Sequence, residues 1–280
     1  MVTLLDQFIK SPPRESSGSS SANRFAYQHS WAVCRLLDLH ASGVPYIVML
    51  DFHDDIVILN DEANPTLAEF VQIKTKKSGQ WTETMLLSRK WNSNKSERLP
   101  SHLGKLRQNE LTFNSCVDRM TFVSNAAFNL TLKTGPGKDR ETFCLNEMDD
   151  VTRQRFRDKL AEELGQKTEG ESKTHLQVTP LSLDDHEVHA LGRVVNFLSS
   201  IGLTGVNPAV LHRMLYGEVR RRSGCEKSPA TVDELKRKVA ISRSAFEGML
   251  ETANSQGDSF LAVIESIRGR LNTESLHSFR

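Results

Sequence analysis

At 280 residues, with 38% hydrophobic and 25% charged residues, the chain is long enough for a sizeable core and reads as one or two soluble domains. A formal net charge of +1 excludes a protein that attracts nucleic acid over its whole surface, so any such contact must come from local clusters. No apolar run approaches the ~20 residues of a membrane span, and the four separated cysteines (Cys34, Cys116, Cys144 and Cys225) form no zinc half-site or disulfide framework.

The start, MVTLLDQFIKSPPRE, lacks a basic region followed by a secretory core, so cytoplasmic placement is expected. Pro12-Pro13 and a Ser/Gly run make residues 1–21 an expected arm. A helix follows, capped by Ser20 or Ser21, with an apolar stripe of Phe25, Ala32, Leu36 and Leu39. Ser42-Gly43 and Pro45 stop it. Residues 46–51 (YIVMLD) and 55–59 (DIVIL) read as β-branched strands, and 68–74 (AEFVQIK) as a third after the polar break from Asp61 to Pro65. A helix over 99–114 and a strand over 119–124 come next. Residues 149–164 read as a charged amphipathic helix and 165–174 as a loop. Residues 175–183 read as a strand at the sheet edge. The remainder reads as helices over 185–200, 208–223, 231–254 and 258–271. Pro208 after Asn207 suits a helix start, and Thr231 with Glu234 suits a capping box. Gly135-Pro136-Gly137-Lys138 lacks the spacing of a phosphate loop and reads as a surface turn, so no intrinsic ATPase activity is expected. The expected organisation is an arm over 1–21, a catalytic domain over 22–183, and a helical oligomerisation or partner-binding region over 184–280.

The chemistry is concentrated between Tyr46 and Lys74. If 55–59 pairs with 68–74 as an antiparallel hairpin centred near Ala63 and Asn64, Asp55 comes close to Gln72 and Lys74. Gln72 and Lys74 then share one face while Ile73 turns toward the core. Phosphodiester hydrolysis needs a hard divalent cation on oxygen ligands, and this hairpin offers the Asp55 carboxylate, the Gln72 amide oxygen and the Ile73 carbonyl. Lys74 supplies a compact positive charge for the transition state. Magnesium is the expected cofactor, with manganese as a substitute. The bland alternative is a surface hairpin whose charges keep an edge soluble. Lys76 and Lys77 follow as candidate DNA contacts, with Arg89, Lys90, Lys95, Lys105 and Arg107 adding local positive charge. Trp81 and Trp91 flank this basic segment; stacking and packing are both open to them, and packing is the expectation. Arg220-Arg221-Arg222 ends a helix, where basic residues suit the dipole, and a DNA contact is the alternative.

The order helix, three strands, helix, strand, with D…QxK across the second and third strands, resembles the restriction-endonuclease-like PD-(D/E)xK core, and Gln for Glu resembles its Mrr-like branch. The fold class expected is therefore α/β, a mixed sheet flanked by helices, with a helical C-terminal region. The blocks RESSGSSSANRFAYQHSWAVCRLLDLH, DFHDDIVIL, EFVQIKTKKSGQWT and TFVSNAAF resemble the nuclease domain of the CD-NTase-associated dsDNA endonucleases of bacterial anti-phage systems, a domain also found beside HerA-type ATPases. The resemblance implies metal-dependent cleavage of double-stranded DNA, gated by oligomerisation or by a partner such as a HerA-type ATPase or a nucleotide-signal sensor. Lys74 matches the motif lysine and Gln72 the motif Glu/Gln position. Asp55 is the choice for the motif aspartate, with Asp54 and then Asp51 as alternatives. Gln28 and Glu15 sit where such nucleases often add a polar ligand, although each equally suits a cap or a solvated side chain. Two other readings stay open: a nuclease-like scaffold for a partner ATPase without its own activity, and cleavage of RNA or single strands, since the motif reads phosphate rather than base sequence.

Overall fold

In the computed structural model, the residues described are 17–167, 169–224 and 229–255. The elements, in chain order, are α1 (Ser17–Ala41), β1 (Ile47–Phe52), β2 (Asp54–Leu59), β3 (Ala68–Ile73), β4 (Trp81–Thr82), α2 (Glu83–Leu87), α3 (His102–Phe113) and β5 (Val117–Ser124). Short strands β6 (Phe128–Asn129), β7 (Thr131–Leu132), β8 (Gly135–Pro136) and β9 (Thr142–Cys144) lead to α4 (Asp150–Leu164) and β10 (Thr174–Val178). Then come α5 (His186–Ser200), α6 (Pro208–Ser223), α7 (Val232–Val239) and β11 (Ala240–Ser242), with residues 243–255 again helical.

Seven strands form one mixed sheet in the order β11-β1-β2-β3-β5-β10-β9. The first three strands are an antiparallel meander, and β5 and β10 join in parallel. Side chains alternate across it as a pleat requires. Val48, Leu50, Ile56, Ile58, Val71 and Ile73 enter a core with α1, α5, α6 and residues Phe246 and Ala253. Ile47, Met49, Val57, Phe70, Met120 and Phe122 enter a second core with α2, α3, α4 and α7. The chain is thus a mixed sheet between two helical layers, and α5 and α6 share a core with α1 rather than standing apart from it.

The β2–β3 hairpin has the expected centre. Ile56 pairs with Val71 and Leu59 with Ala68, which puts the turn between Ala63 and Asn64. Asp61 Oδ1 accepts from the Ala63 and Asn64 amides, and Asn60 Oδ1 from those of Thr66 and Leu67, so short polar side chains build the reversal. The β1–β2 reversal is tighter: Phe52 pairs with Asp54, and Asp51 and His53 take positive φ values of 49° and 68°. Such conformations cost non-glycine residues and concentrate at functional sites.

Four expectations are corrected. The first helix begins at Ser17, so Ser20 and Ser21 lie inside α1 rather than capping it. The helix expected over 231–254 is broken: Ala240-Ile241-Ser242 instead forms β11 against the otherwise open edge of β1, because a free sheet edge gains backbone hydrogen bonds from any extended segment. The strand expected at the sheet edge, β10, lies inside the sheet, with β9 covering its outer side. Arg107 faces the interior, 1% exposed and paired with Glu110, so its charge is not part of a basic surface. The expected helix over 258–271 lies outside the described residues.

The three arginines close α6 as expected, but Arg222 does more than face the helix dipole. It is buried, pairs with Glu218, and its guanidinium donates to the carbonyls of Lys236, Arg237 and Ala240 at the end of α7. It thereby satisfies helix-end acceptors and joins α6 to α7 and β11. Arg222→Ala is expected to cost about 2–3 kcal/mol in urea unfolding, since charged hydrogen bonds are lost and the buried Ala240 carbonyl loses this donor. A change below ~0.5 kcal/mol would contradict this role.

His29 of α1 lies edge-on to Tyr216 of α6, with ring centroids 5.8 Å apart. Burial, aided by the Arg220 charge, lowers its pKa from 6.5 to about 4. The unfolded chain therefore takes up this proton near pH 6.5 while the folded chain does not until about pH 4. The His29 contribution is full above pH 6.5 and lost as pH falls toward 4. The urea midpoint is expected to drop between pH 7 and pH 5, less steeply in His29→Gln; equal pH slopes would remove His29 from this account.

Candidate active site

Asp55 sits one residue inside β2, immediately after the strained reversal that aims the strand. Its Oδ2 accepts from the Ile73 amide (2.7 Å) and from Lys74 Nζ (3.2 Å). Extending the hairpin register by one step sets Asp55 opposite Gln72. The end of β3 is held by β5 and the segment after it: the Lys74 amide donates to the Val123 carbonyl, and the Asn125 side chain bonds both the amide and the carbonyl of Lys76. Lys74 thus leaves the sheet from a fixed backbone.

From the helical side, the Gln28 amide of α1 donates to the Ile73 carbonyl (3.3 Å). Asp55, Ile73, Lys74 and Gln28 line one cavity of about 520 Å³, whose wall also includes Arg24, Trp81, Lys90 and His102. His102 opens α3. Burial, together with the charges of Lys74, Lys90 and Lys105, lowers its pKa to about 4, so it is a neutral imidazole near pH 7. The cavity therefore combines one carboxylate, a backbone carbonyl, an amide and several cations.

The other sequence candidates lie close by but differently. Gln72 is 1% exposed and does not line the cavity; its Oε1 is buried without a hydrogen-bond partner. Asp54 is buried, accepts from the Asn109 amide of α3, and keeps a second oxygen unpartnered. Burial raises its pKa to about 6. Asp51 is the last residue but one of β1, and desolvation together with the nearby Asp55 charge raises its pKa to about 6. Asp55 alone of the three aspartates lines the cavity. Lys76 folds back on its own loop, donating to the Gln80 carbonyl and lying 5.2 Å over the Trp81 ring, whereas Lys77 is exposed. Glu15 lies outside the described residues. Sequence reasoning missed His102, Asn109 and Asn125. Only the position of His102 at the start of an expected helix could have pointed to it.

Does this donor set suit a divalent cation? Among the described residues, no group of three or more His, Cys, Asp or Glu side chains could hold a metal ion. The oxygen donors are of another kind: the Asp55 carboxylate, the Ile73 carbonyl and the orphaned Gln72 Oε1. A buried amide oxygen without a partner is costly unless something binds it, and hard oxygens are what magnesium takes. The Asp55 carboxylate and the Ile73 carbonyl are hard donors of the kind magnesium takes, with one formal negative charge, while Gln72 Oε1 lies outside the cavity lining.

The family model described as Cap4, dsDNA endonuclease domain, matches residues 16–223. The chain belongs to this family. The match to the Cap4 nuclease domain takes in α1, the site and both α5 and α6. Comparison with curated proteins returns no match. Solved structures of an Acinetobacter baumannii Cap4 SAVED/CARF-domain containing receptor are similar at 12% identity and a TM-score of 0.47, covering 84% of this chain and 48% of that one. The form with the cyclic trinucleotide 3'3'3'-cAAA gives 12% identity and a TM-score of 0.48, covering 84% and 46%. The chain thus spans about half the length of those receptor structures. Among the described residues, no helix is long and apolar enough to cross a membrane.

Proposed function

We propose that the chain is an endonuclease that hydrolyses phosphodiester bonds of double-stranded DNA, built on a PD-(D/E)xK core and acting as an effector of bacterial anti-phage defence. The observation that carries this reading is the convergence of the Asp55 carboxylate, the Ile73 carbonyl and the Lys74 ammonium on one cation-lined cavity, in a chain of the Cap4 nuclease family. Asp55, Gln72 and the Ile73 carbonyl would hold magnesium, or manganese in its place. When bound, the ion supplies Lewis-acid polarisation of the scissile phosphate.

The chain's own residues do the rest. Asp55 fixes Lys74 by an ion pair and locks the end of β3 through the Ile73 amide. Lys74 offers its ammonium to the phosphate oxygens as negative charge builds in the transition state. Neutral His102 borders the cavity without adding a repelling charge to the bound cation. Gln28 orients the Ile73 carbonyl. A site with a single carboxylate binds a divalent ion weakly, which supports a requirement for closure by assembly or by a partner. Homo-oligomerisation, a HerA-type ATPase and a nucleotide-signal sensor are the proposed means.

The substrate class is tested by offering duplex DNA, the matching single strand and the matching RNA duplex, each with magnesium. Cleavage of duplex DNA in preference to the others is expected. Cleavage of RNA alone would replace the proposed substrate, and binding without cleavage of any would favour the scaffold reading.

A further inference from the structure

Of three tryptophans, Trp31 and Trp81 are 6% exposed, while Trp91 is 53% exposed. The expectation that Trp91 packs is not met. It stands on a hairpin over residues 89–99, between α2 and α3, that contributes to neither core.

The hairpin is nonetheless firmly built. The Leu99 amide donates to the Lys90 carbonyl (2.7 Å), Asn92 and Glu97 pair through their backbones (2.9 Å), and Trp91 bridges Arg98 in antiparallel fashion. Asn92 Oδ1 also accepts from the Ser96 amide, and Arg89 donates to the Arg98 carbonyl. The Arg98 guanidinium lies 5.0 Å from the indole centroid, so one partner already orients the ring. A chain that braces an indole in water holds a gain realised only when something covers it.

What covers it is indicated by charge and place. Arg89, Lys90, Lys95 and Arg98 are exposed on this hairpin against a single acid, Glu97. Lys90 also lines the cavity that holds Asp55 and Lys74. An exposed aromatic among cations beside a phosphodiesterase site suits a nucleic-acid strand, with cations on phosphate and the ring on a base or sugar.

We infer that the hairpin over residues 89–99 is a DNA-contacting arm, in which Trp91 packs its ring against the substrate strand beside the catalytic cavity. This inference rests on the nuclease reading and adds to it an arm separate from Lys76 and Lys77.

The test is binding of a labelled DNA duplex to the full chain in EDTA, across a salt series, for wild type, Trp91→Ala, Trp91→Phe and Lys95→Gln. Trp91→Ala is expected to weaken binding several-fold without changing the slope of log K against log salt, because it removes ring contacts with the strand and no charge. Trp91→Phe is expected to recover most of the loss. Lys95→Gln is expected to lower the slope by about 0.9, the value for one phosphate contact. Urea midpoints of the variants check that the fold is unchanged. Wild-type affinity in Trp91→Ala overturns the inference, and so does an affinity loss that comes with a lower slope. Either result leaves the nuclease reading intact if wild type cleaves duplex. A wild type that binds no duplex at any salt also overturns the inference, while the nuclease reading is decided separately by cleavage.

Discussion

Lys74→Ala is expected to reduce DNA cleavage by at least about 10²-fold while leaving the fold unchanged. The side chain is the only ammonium bonded to Asp55 among the described residues, and it faces the cavity rather than either core. Its loss removes a positive charge from where the transition state gathers negative charge. The structural cost is small, because a pair with 30% and 15% side-chain exposure contributes about 1 kcal/mol or less. Arginine is not expected to rescue it: a planar fork neither occupies the same point nor keeps the same reach to Asp55. Circular dichroism and the urea midpoint separate the two roles. A Lys74→Ala protein that fails to fold would make the lysine structural.

The second large effect is at Asp55, where charge and hydrogen bonding can be separated. Asp55→Ala is expected to abolish metal-dependent cleavage and also to lower stability by about 1–2 kcal/mol, because the Ile73 amide loses its acceptor. Asp55→Asn keeps an amide oxygen for Ile73 but removes the negative charge. It is therefore expected to restore most of the stability and none of the activity. Titration with manganese, followed by calorimetry, reads the metal directly: wild type is expected to bind, and both variants to bind far more weakly. Full activity in Asp55→Ala would move the metal-binding role to Asp54 or Asp51, the two neighbouring aspartates whose pKa values are raised to about 6.

The hairpin was legible from sequence because its signals are local. β-branched runs mark β2 and β3, and the polar break from Asp61 to Pro65 demands a turn between them. A period of two then dictates which residues share a face. That reasoning brought Asp55 to Gln72 and Lys74, but it could not show that Asp55 would accept from the Ile73 amide, that Gln72 would be buried with an unpartnered oxygen, or that Gln28 would reach the Ile73 carbonyl from α1. Contacts across 45 residues depend on how the helix packs, which local pattern does not encode. β11 was missed for the same reason: Ala240-Ile241-Ser242 is extended because the edge of β1 is available, not because of its own preference. Arg107 and Trp91 are opposite failures of a shared rule. Arg107 was read as surface charge and is buried with Glu110, and Trp91 was read as core and stands exposed over Arg98.

The most direct test of the central claim is plasmid cleavage by wild type and Lys74→Ala, each with magnesium and with EDTA, at low and high protein concentration. Cleavage by wild type only, only with magnesium, and rising steeply with concentration is the predicted result, joining the motif, the metal and assembly in one assay. Cleavage by Lys74→Ala at the wild-type rate, or cleavage that persists in EDTA, would contradict the account.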